Sequence, residues 1–461
     1  MQNFWDFEAW GGLSLLATVL IGLLLANAMK KNIKFVRKSL IPTPVLGGII
    51  LLILTTVYEK ITGEIFFNTN FYAGRGLGML EILTYHCLAL GFIASTLKRT
   101  ENKFEGKRKA EIFDTGVTTV STYLLQGVLG LGITILAAMF VSDVFPASGV
   151  ILPFGFGQGS GQALNYGNMY EQNNGFVGGR NFGLTVAALG FIAASVGGVI
   201  HLNILKKKGI IAIDDEERDD PYEEISTKNE IPMNGTIDKL TVQIAFIFGV
   251  YALSYAVMYV LGELLPGMIS VIYGFNFLIG VLMASLCRVV MNFLRKHGVV
   301  KKRYTNNFLL THISNFFFDI MIVAGIAAIR LEALAKYWWI IAILAIVGAF
   351  STYFYNLYIA RKLFPSYSEE QFLMMYGMLT GTASTGVMLL REIDPQYKKP
   401  ASENLIYQNL PAIVFGFPMM LIAPGAPDRP EFTLLILVVF FIVMNIILFR
   451  RQIFRFKKKE K

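Results

Sequence analysis

Two glycine-rich stretches interrupt the apolar sequence, and the first holds backbone and side-chain groups suited to binding a small solute. It reads ASGVILPFGFGQGSGQALNYG, with glycine at every second position from Gly155 to Gly161. Because glycine tolerates non-helical backbone, we expect N–H and C=O groups here to be free of helical pairing. The central residues of this stretch are Gly157, Gln158, Gly159, Ser160 and Gly161. Gln158 and Ser160 add side-chain donors, so the stretch predicts a small polar binding site.

The second stretch, EEQFLMMYGMLTGTASTGVMLL, is rich in hydroxyl-bearing and very small residues. Its central residues are Gly381, Thr382, Ala383, Ser384, Thr385 and Gly386. Hydroxyls and free backbone groups could hydrogen-bond a ligand, whereas small residues also let helices pack closely without one. For each stretch taken alone, both ligand binding and close helix packing are consistent with the sequence. Because similar stretches occur at equivalent places in the two halves of the chain, we favour binding.

The chemistry expected at these stretches follows from the electrostatics of helix ends. A helix that begins inside a membrane directs unpaired N–H groups and the positive end of its dipole at its surroundings, which favours an anion. Carbonyl groups at an unwound segment suit a sodium ion. The pattern therefore favours an anionic solute carried together with a cation, without specifying which anion.

A few ionisable or polar residues within apolar spans are further candidates, because burying them in a membrane is costly. His312, Asn315 and Asp319 recur at i, i+3 and i+7, which predicts one polar stripe facing a bundle interior. Asp319 could help to hold a cation, or the stripe could be an ordinary interhelical contact. Arg180, followed by Asn181, could pair with a substrate carboxylate or extend to the membrane interface.

The elements that position these residues are predicted from hydropathy. Of the 461 residues, 54% are hydrophobic and 16% are charged, which is more apolar surface than a single soluble core can bury. Because a bilayer core needs about 20 apolar residues per helix, we predict an all-α membrane protein with about eleven transmembrane helices. The predicted spans are 11–29, 40–58, 76–97, 113–141, 176–204, 239–261, 267–290, 308–329, 335–360, 404–424 and 431–450. The glycine-rich stretches, near 147–167 and 369–391, are predicted to be re-entrant loops.

Lys and Arg cluster in alternate loops, which predicts an outside N-terminus and a cytoplasmic C-terminus. Residues 1–205 and 239–425 then form two inverted five-helix repeats, each with its re-entrant loop. Residues 206–238 contain IDDEERDDPYEE and are predicted to be a cytoplasmic acidic linker. Residues 426–461 add a further transmembrane helix and a basic tail.

Several classes of protein lack support in the sequence. There is no Walker A motif, G-x-S-x-G elbow, HExxH helix or CxxC pair, so we predict neither an enzyme nor a cofactor, and no structural metal. The +9 formal charge lies in short clusters between apolar spans, so no nucleic-acid partner is expected. A channel would need a continuous polar pore lining. The polar stripe through Asn315 is the only sequence feature that resembles part of one.

Several motifs along the chain resemble those of a known family, the bacterial sodium/glutamate symporters. Ile41-Pro42-Thr43-Pro44-Val45, followed by Gly47-Gly48, is similar to that family's I-P-x-P-V-x-G-G motif, and Gly155 to Ala163 is similar to its G-G-H-G-T-G-A loop. The family's further features follow in the same order along this chain, namely glycines in the fifth span, Leu265-Pro266, Asn315 and the break through Gly386. The likeness covers nearly the whole chain.

The resemblance implies sodium-coupled uptake of L-glutamate across the bacterial cytoplasmic membrane. It also implies a homodimer, an elevator-like motion, and substrate and sodium sites at both glycine-rich stretches. The chain departs from the family at Gln158, where the family has His, and in its Thr- and Ser-rich second loop. Another dicarboxylate, or a 2-hydroxycarboxylate such as citrate or malate, is therefore the alternative substrate.

Overall fold

A computed structural model of the chain describes residues 4–38, 41–98, 106–210, 237–266, 269–274, 276–300, 302–331, 335–394 and 398–453. Most of the predicted acidic linker, from 211 to 236, lies outside the described residues, as does the basic tail beyond 453. The side chain of Ser384 is also outside the description. The described residues are almost entirely helical and contain no β-strand.

Ten described helices are long and apolar enough to cross a membrane. They are α1 (Phe7–Asn32), α3 (Thr43–Thr62), α4 (Gly76–Leu97), α5 (Lys107–Phe140), α8 (Gly179–Lys207), α9 (Lys239–Leu264), α11 (Asn276–Lys296), α12 (Asn307–Ala327), α13 (Trp338–Leu363) and α18 (Pro430–Leu448). Short helices α2 (Lys34–Lys38), α10 (Ile269–Gly274) and α19 (Arg450–Ile453) lie between or after them. Each of the ten corresponds to one predicted span, so the all-α membrane fold is confirmed.

The remaining predicted span, 404–424, is broken into α16 (Ala401–Tyr407) and α17 (Asn409–Ile422), and the chain bends there by 51°. Pro411 accounts for the break, because it lacks an N–H and its ring clashes with the carbonyl four residues earlier, at Tyr407. The bent pair counts as an eleventh candidate span.

Four further helices form two hairpins within the glycine-rich stretches. The first hairpin is α6 (Ile151–Gln158) and α7 (Ser160–Asn174), and the second is α14 (Ser368–Thr380) and α15 (Ala383–Arg391). Each is too short to span a bilayer, since a helix rises about 1.5 Å per residue. Whether these hairpins are re-entrant in a membrane stays a prediction.

The helices form two compact units, and each draws on both halves of the sequence. The first unit contains most of α1 and α3 together with α4 and α9 to α12. The second unit contains α5 to α8 and α13 to α19, and so holds both hairpins. The two inverted repeats themselves stay a prediction.

Candidate functional site

The first hairpin turns at a single residue, Gly159. Its φ of +84° and ψ of −175° lie in a region of backbone conformation that is essentially confined to glycine. On either side the chain returns along itself, so that the rings of Phe154 in α6 and Tyr166 in α7 stack with centroids 3.7 Å apart. The prediction that Gly155, Gly157 and Gly161 are non-helical is wrong, since all three lie inside α6 or α7.

These helical glycines serve close packing instead. A Cβ at Gly157 would overlap the ring of Tyr123, and a Cβ at Gly155 would lie 2.8 Å from Val186 in α8. Neighbouring helices therefore approach α6 at distances that a side chain would not allow. The ligand-accessible backbone predicted for the whole stretch is confined to the turn between Gln158 and Ser160.

The second hairpin turns at Gly381 and Thr382. Its two arms pack closely because both are glycine where they meet, and a Cβ at Gly377 would lie 2.8 Å from the Cα of Gly386. Thr385 is fully buried, and its hydroxyl lies 3.4 Å from the hydroxyl of Thr382. The predicted run of small and hydroxylated residues thus forms the turn between the arms and the first helical turn of α15.

Helix α8 brings the two hairpins together at Gly190. A Cβ on this residue would lie 2.6 Å from the carbonyl oxygen of Thr380 and 3.0 Å from the ring of Phe156. Thr380 is the last residue of α14, and Phe156 lies near the end of α6. The C-terminal ends of both first arms therefore meet at one glycine of α8.

Helix α5 contacts the same two ends through its polar side chains. The Tyr123 hydroxyl donates to the carbonyl of Gly157 at 3.0 Å, and Gln126 Nε2 donates to the carbonyl of Leu379 at 2.9 Å. Gln126 Nε2 also donates to the hydroxyl of Thr352 in α13, at 2.7 Å. Helix α5 thus donates one hydrogen bond to a carbonyl near the end of α6 and one to a carbonyl near the end of α14.

Several buried polar atoms of the first hairpin and of α5 have no hydrogen-bond partner among the described residues. They are the hydroxyl of Ser160, both amide atoms of Gln162 and Oε1 of Gln126. All three side chains are at most 1% exposed. Leaving a buried polar group unsatisfied costs about 1–3 kcal/mol, so the three such atoms on Ser160 and Gln162, beside the first turn, indicate a place where a polar ligand or water completes the bonding.

The arrangement has clear chemical consequences. Helices α7 and α15 begin at the turns, so their first N–H groups and positive dipole ends point at the place where the chain breaks. Helices α6 and α14 end there, which places carbonyl groups and negative dipole ends beside them. The site can therefore attract an anion and a cation next to each other.

The structure places the other predicted site residues in different surroundings. Arg180 Nη2 and the backbone N–H of Arg180 contact the carboxylate of Glu171, at 3.1 and 3.0 Å. The side-chain oxygen of Asn181 accepts a hydrogen bond from the backbone N–H of Arg330 at 2.8 Å. Both side chains are thus engaged within the second unit, at the start of α8 and away from the turns.

The predicted polar stripe on α12 lies in the first unit and does not face its interior. His312 and Asn315 are exposed, and Asp319 is only partly buried. The prediction of an inward-facing stripe is therefore wrong for His312 and Asn315. The apolar residues of α12, such as Ile313, Phe317 and Ile320, form its buried face instead. The roles suggested for Asn315 and Asp319 stay predictions.

Sequence reasoning missed Tyr123, Gln126, Gln162 and Thr352. A signal was available, because α5 carries the polar run TTVSTYLLQ within its apolar span, and polar residues inside a membrane span are functional candidates by default. Their partners were not predictable, since Leu379 and Thr352 lie more than 200 residues away along the chain.

In the part of the chain that the structure describes, ten apolar helices, with the bent pair α16 and α17 as an eleventh candidate span, define a multi-pass membrane protein. Two broken helices whose ends meet beside unsatisfied polar atoms are the kind of solute site that secondary transporters use. The chain is thus a membrane transporter.

It belongs to the sodium/glutamate symporter family, whose model matches residues 10–369. The matched region contains the first hairpin and ends at the start of α14. A search of curated proteins found no match.

Proposed function

We propose that this protein takes up glutamate by sodium-coupled symport across the bacterial cytoplasmic membrane. The observation that carries the proposal is the meeting of the two hairpin turns in one unit, beside buried polar atoms that lack partners. The family membership supports the same function. No observation on the described residues favours a 2-hydroxycarboxylate or another dicarboxylate over glutamate.

In this proposal the substrate binds between the two turns. A carboxylate of glutamate accepts hydrogen bonds from the first N–H groups of α7 and α15, where the helix dipoles favour negative charge. Gln162 and Ser160 then gain the partners that they lack, because the amide of Gln162 can donate to a carboxylate through Nε2 and accept from an ammonium group through Oε1. The residues proposed to form the site are Gly157, Gln158, Gly159, Ser160, Gly161, Gly381, Thr382, Ala383, Ser384, Thr385 and Gly386.

Sodium binds beside the substrate in the proposal, at the carbonyl ends of α6 and α14. Tyr123 and Gln126 already hold two of these carbonyls, those of Gly157 and Leu379, in fixed orientations. Helix ends and unwound carbonyls are the usual sodium ligands in transporters of this kind. Coupling follows because neither charge is favourable in the buried site without the other.

The two units provide a basis for alternating access, since the hairpins belong to one unit and could move as a body. The elevator-like motion and the homodimer stay predictions from the resemblance. The orientation with the N-terminus outside and the C-terminus in the cytoplasm, which is inferred from the Lys and Arg clusters, also stays a prediction.

The proposal is tested with purified protein in liposomes, given labelled L-glutamate and an inward sodium gradient. We expect glutamate to accumulate against its own gradient and to stop accumulating when potassium replaces sodium. Uptake that is indifferent to sodium would remove the coupling. Labelled citrate, malate and aspartate are offered in the same assay, and sodium-driven accumulation of citrate or malate without accumulation of glutamate would overturn the substrate assignment.

A further inference from the structure

A second polar site lies in the first unit, away from both hairpins. It is a small open cavity of about 40 Å³ between the C-terminal parts of α4 and α11, the start of α9 and the segment that leads into α12. Its wall combines four cationic side chains, Arg288, Arg295, Lys302 and Arg303, with apolar residues that include Leu97 and Met291. None of the described residues that line it is acidic.

The charge of this cavity needs an explanation. One or two basic residues in the last turn of a helix interact favourably with its dipole, and Arg295 and Lys296 occupy that position in α11. That effect does not account for Arg288 and Lys302 beside Arg295 at the same cavity, because like charges at close range repel one another. An anion between them would convert the repulsion into attraction.

Two sides of the wall are held in place by hydrogen bonds to backbone groups. Arg288 Nη1 is held by the carbonyls of Thr96 and Lys98, at 3.3 and 3.2 Å, where α4 ends. Gln243 of α9 holds the opposite segment, donating to the carbonyl of Tyr304 at 2.6 Å and accepting from the N–H of Asn306 at 3.0 Å.

Arg295 supplies the second observation. Its Nη1 atom is buried and has no hydrogen-bond partner among the described residues. A buried guanidinium nitrogen without an acceptor is costly, and the planar fork of arginine matches the oxygens of a phosphate group. The cavity therefore lacks one component, an anionic acceptor.

We propose that this cavity binds a phosphate group, supplied by the headgroup of an anionic phospholipid. The lipid is favoured over free phosphate because apolar side chains share the wall and because the neighbouring face of α11 is apolar and exposed, at Leu286, Val289 and Phe293. The basic loops place this end of α11 at the predicted cytoplasmic face, where anionic lipids attract basic pockets.

The test measures lipid binding by native mass spectrometry and by fluorescence, with the full-length protein in detergent. The probes are dioleoyl phosphatidylglycerol, phosphatidylcholine with the same acyl chains, and inorganic phosphate. We expect phosphatidylglycerol to bind at least about tenfold more tightly than phosphatidylcholine, corresponding to about 1.4 kcal/mol. The double variant Arg295→Gln with Arg303→Gln should bind phosphatidylglycerol at least about fivefold more weakly, with phosphatidylcholine unaffected.

Two controls keep the result specific. Lys206→Gln with Lys207→Gln removes two charges from the last turn of α8, in the other unit, and should leave phosphatidylglycerol binding unchanged. Arg295→Lys with Arg303→Lys keeps the charge, so it should retain part of the affinity and show whether loss in the Gln variant reflects misfolding.

The outcomes separate the sources of the phosphate. Competition by inorganic phosphate at millimolar concentration, with no preference between the two lipids, would assign the cavity to a soluble phosphate and overturn the lipid assignment. Equal binding of both lipids by the wild type and the Gln variant, without phosphate binding, would overturn the anion site altogether. Neither result depends on glutamate transport.

Discussion

Single residues set the geometry of the candidate transport site, and glycine and glutamine do so in different ways. Gly159 allows a backbone turn that other residues resist, so α7 can begin where α6 ends. Gln126 fixes the end of the second hairpin's first arm by bonding the carbonyl of Leu379. Both residues act by positioning helix ends and not by contacting the substrate with their side chains.

We predict that Gly159→Ala abolishes most glutamate uptake. A Cβ at φ +84° and ψ −175° is strained by about 1–3 kcal/mol, and relief of this strain rotates the N–H groups that open α7. Sodium-driven uptake in liposomes should fall at least about tenfold while membrane insertion persists. Gly175→Ala is the control, because Gly175 has φ +70° but follows α7 outside the site. Full uptake by Gly159→Ala would contradict the site assignment.

Gln126→Leu should raise the KM for glutamate several-fold and lower thermal stability. Loss of the amide leaves the buried carbonyl of Leu379 and the hydroxyl of Thr352 without this donor, at a cost of about 1–3 kcal/mol. Gln243→Leu removes a comparably buried amide from the first unit. Kinetics and unfolding are measured on both variants. If both lose stability and neither changes KM, Gln126 has no positioning role.

At the scale of elements, helices are joined near their ends by charged contacts that lie outside both turns. His201 of α8 contacts Tyr353 of α13 at 2.8 Å and the carboxylate of Glu369, at the start of α14, at 2.7 Å. Arg361 of α13 also contacts Glu369, at 3.3 Å. These contacts connect the second hairpin to two long helices of its unit.

This cluster predicts an acid-sensitive stability. The hydrogen bond from His201 lowers the pKa of Glu369 below its usual value. A carboxyl with a depressed pKa in the folded protein stabilises it above the pKa of the unfolded chain, about 4.3 for glutamate, and this contribution disappears as pH falls through the folded value. Thermal unfolding midpoints between about pH 3 and 6 should fall less steeply for Glu369→Gln than for the wild type. An exposed carboxylate, replaced in Glu431→Gln, is the control, and parallel curves for all three proteins would refute the prediction.

The additional C-terminal helix is fixed to α5 by an ion pair whose carboxylate is buried and whose guanidinium is partly exposed. Arg450 Nη1 lies 2.6 Å from the carboxylate of Asp114, and the guanidinium also stands over the ring of Phe113 at 4.8 Å. Asn445 of α18 accepts a hydrogen bond from Tyr355 of α13 at 2.8 Å. Helix α18 is therefore an integral part of the second unit.

Arg450→Gln is expected to destabilise the protein by about 3 kcal/mol, because it leaves the carboxylate of Asp114 largely buried and without its ion-pair partner. The neighbouring Arg451 is exposed, so Arg451→Gln should cost less than about 0.5 kcal/mol. Chemical unfolding in detergent measures both. Adding Asp114→Asn to Arg450→Gln should restore part of the stability, and equal losses in both single variants would exclude a specific ion pair.

At the scale of the whole molecule, the predicted topology requires that helix ends in contact with one another lie on the same side of the membrane. Lys336 and Asp143 form an ion pair at 3.2 Å, and the basic-loop pattern assigns both to the outside. Arg108 and Glu403, paired at 2.9 Å, are both assigned to the cytoplasm. These contacts are consistent with the alternation of the helices, although they do not distinguish inside from outside.

Orientation is tested by cysteine accessibility in intact cells. With Cys87 and Cys287 replaced by Ser, we expect Asp143→Cys to react with a membrane-impermeant maleimide in intact cells. His297→Cys should react only after permeabilisation, because the Lys- and Arg-rich loop around it is retained in the cytoplasm. The reverse labelling pattern would invert the predicted orientation.

The sequence by itself determined that the chain is an all-α membrane protein and where its helices lie, because about 20 consecutive apolar residues are a local signal that needs no partner. It also located both breaks, since glycine clusters within apolar runs are a local signal too. Membership of the symporter family, anticipated from ordered motifs, is confirmed by the match to residues 10–369.

Only the tertiary structure decided which residues build the site. It confined the first break to Gly159, assigned the neighbouring glycines to helix packing, and brought Tyr123, Gln126 and Gly190 to the ends of both hairpins. It also showed Arg180 paired with Glu171, and His312 and Asn315 exposed. The physical reason is that these outcomes depend on which helices meet, and contacts between residues hundreds of positions apart leave no periodic pattern in one sequence.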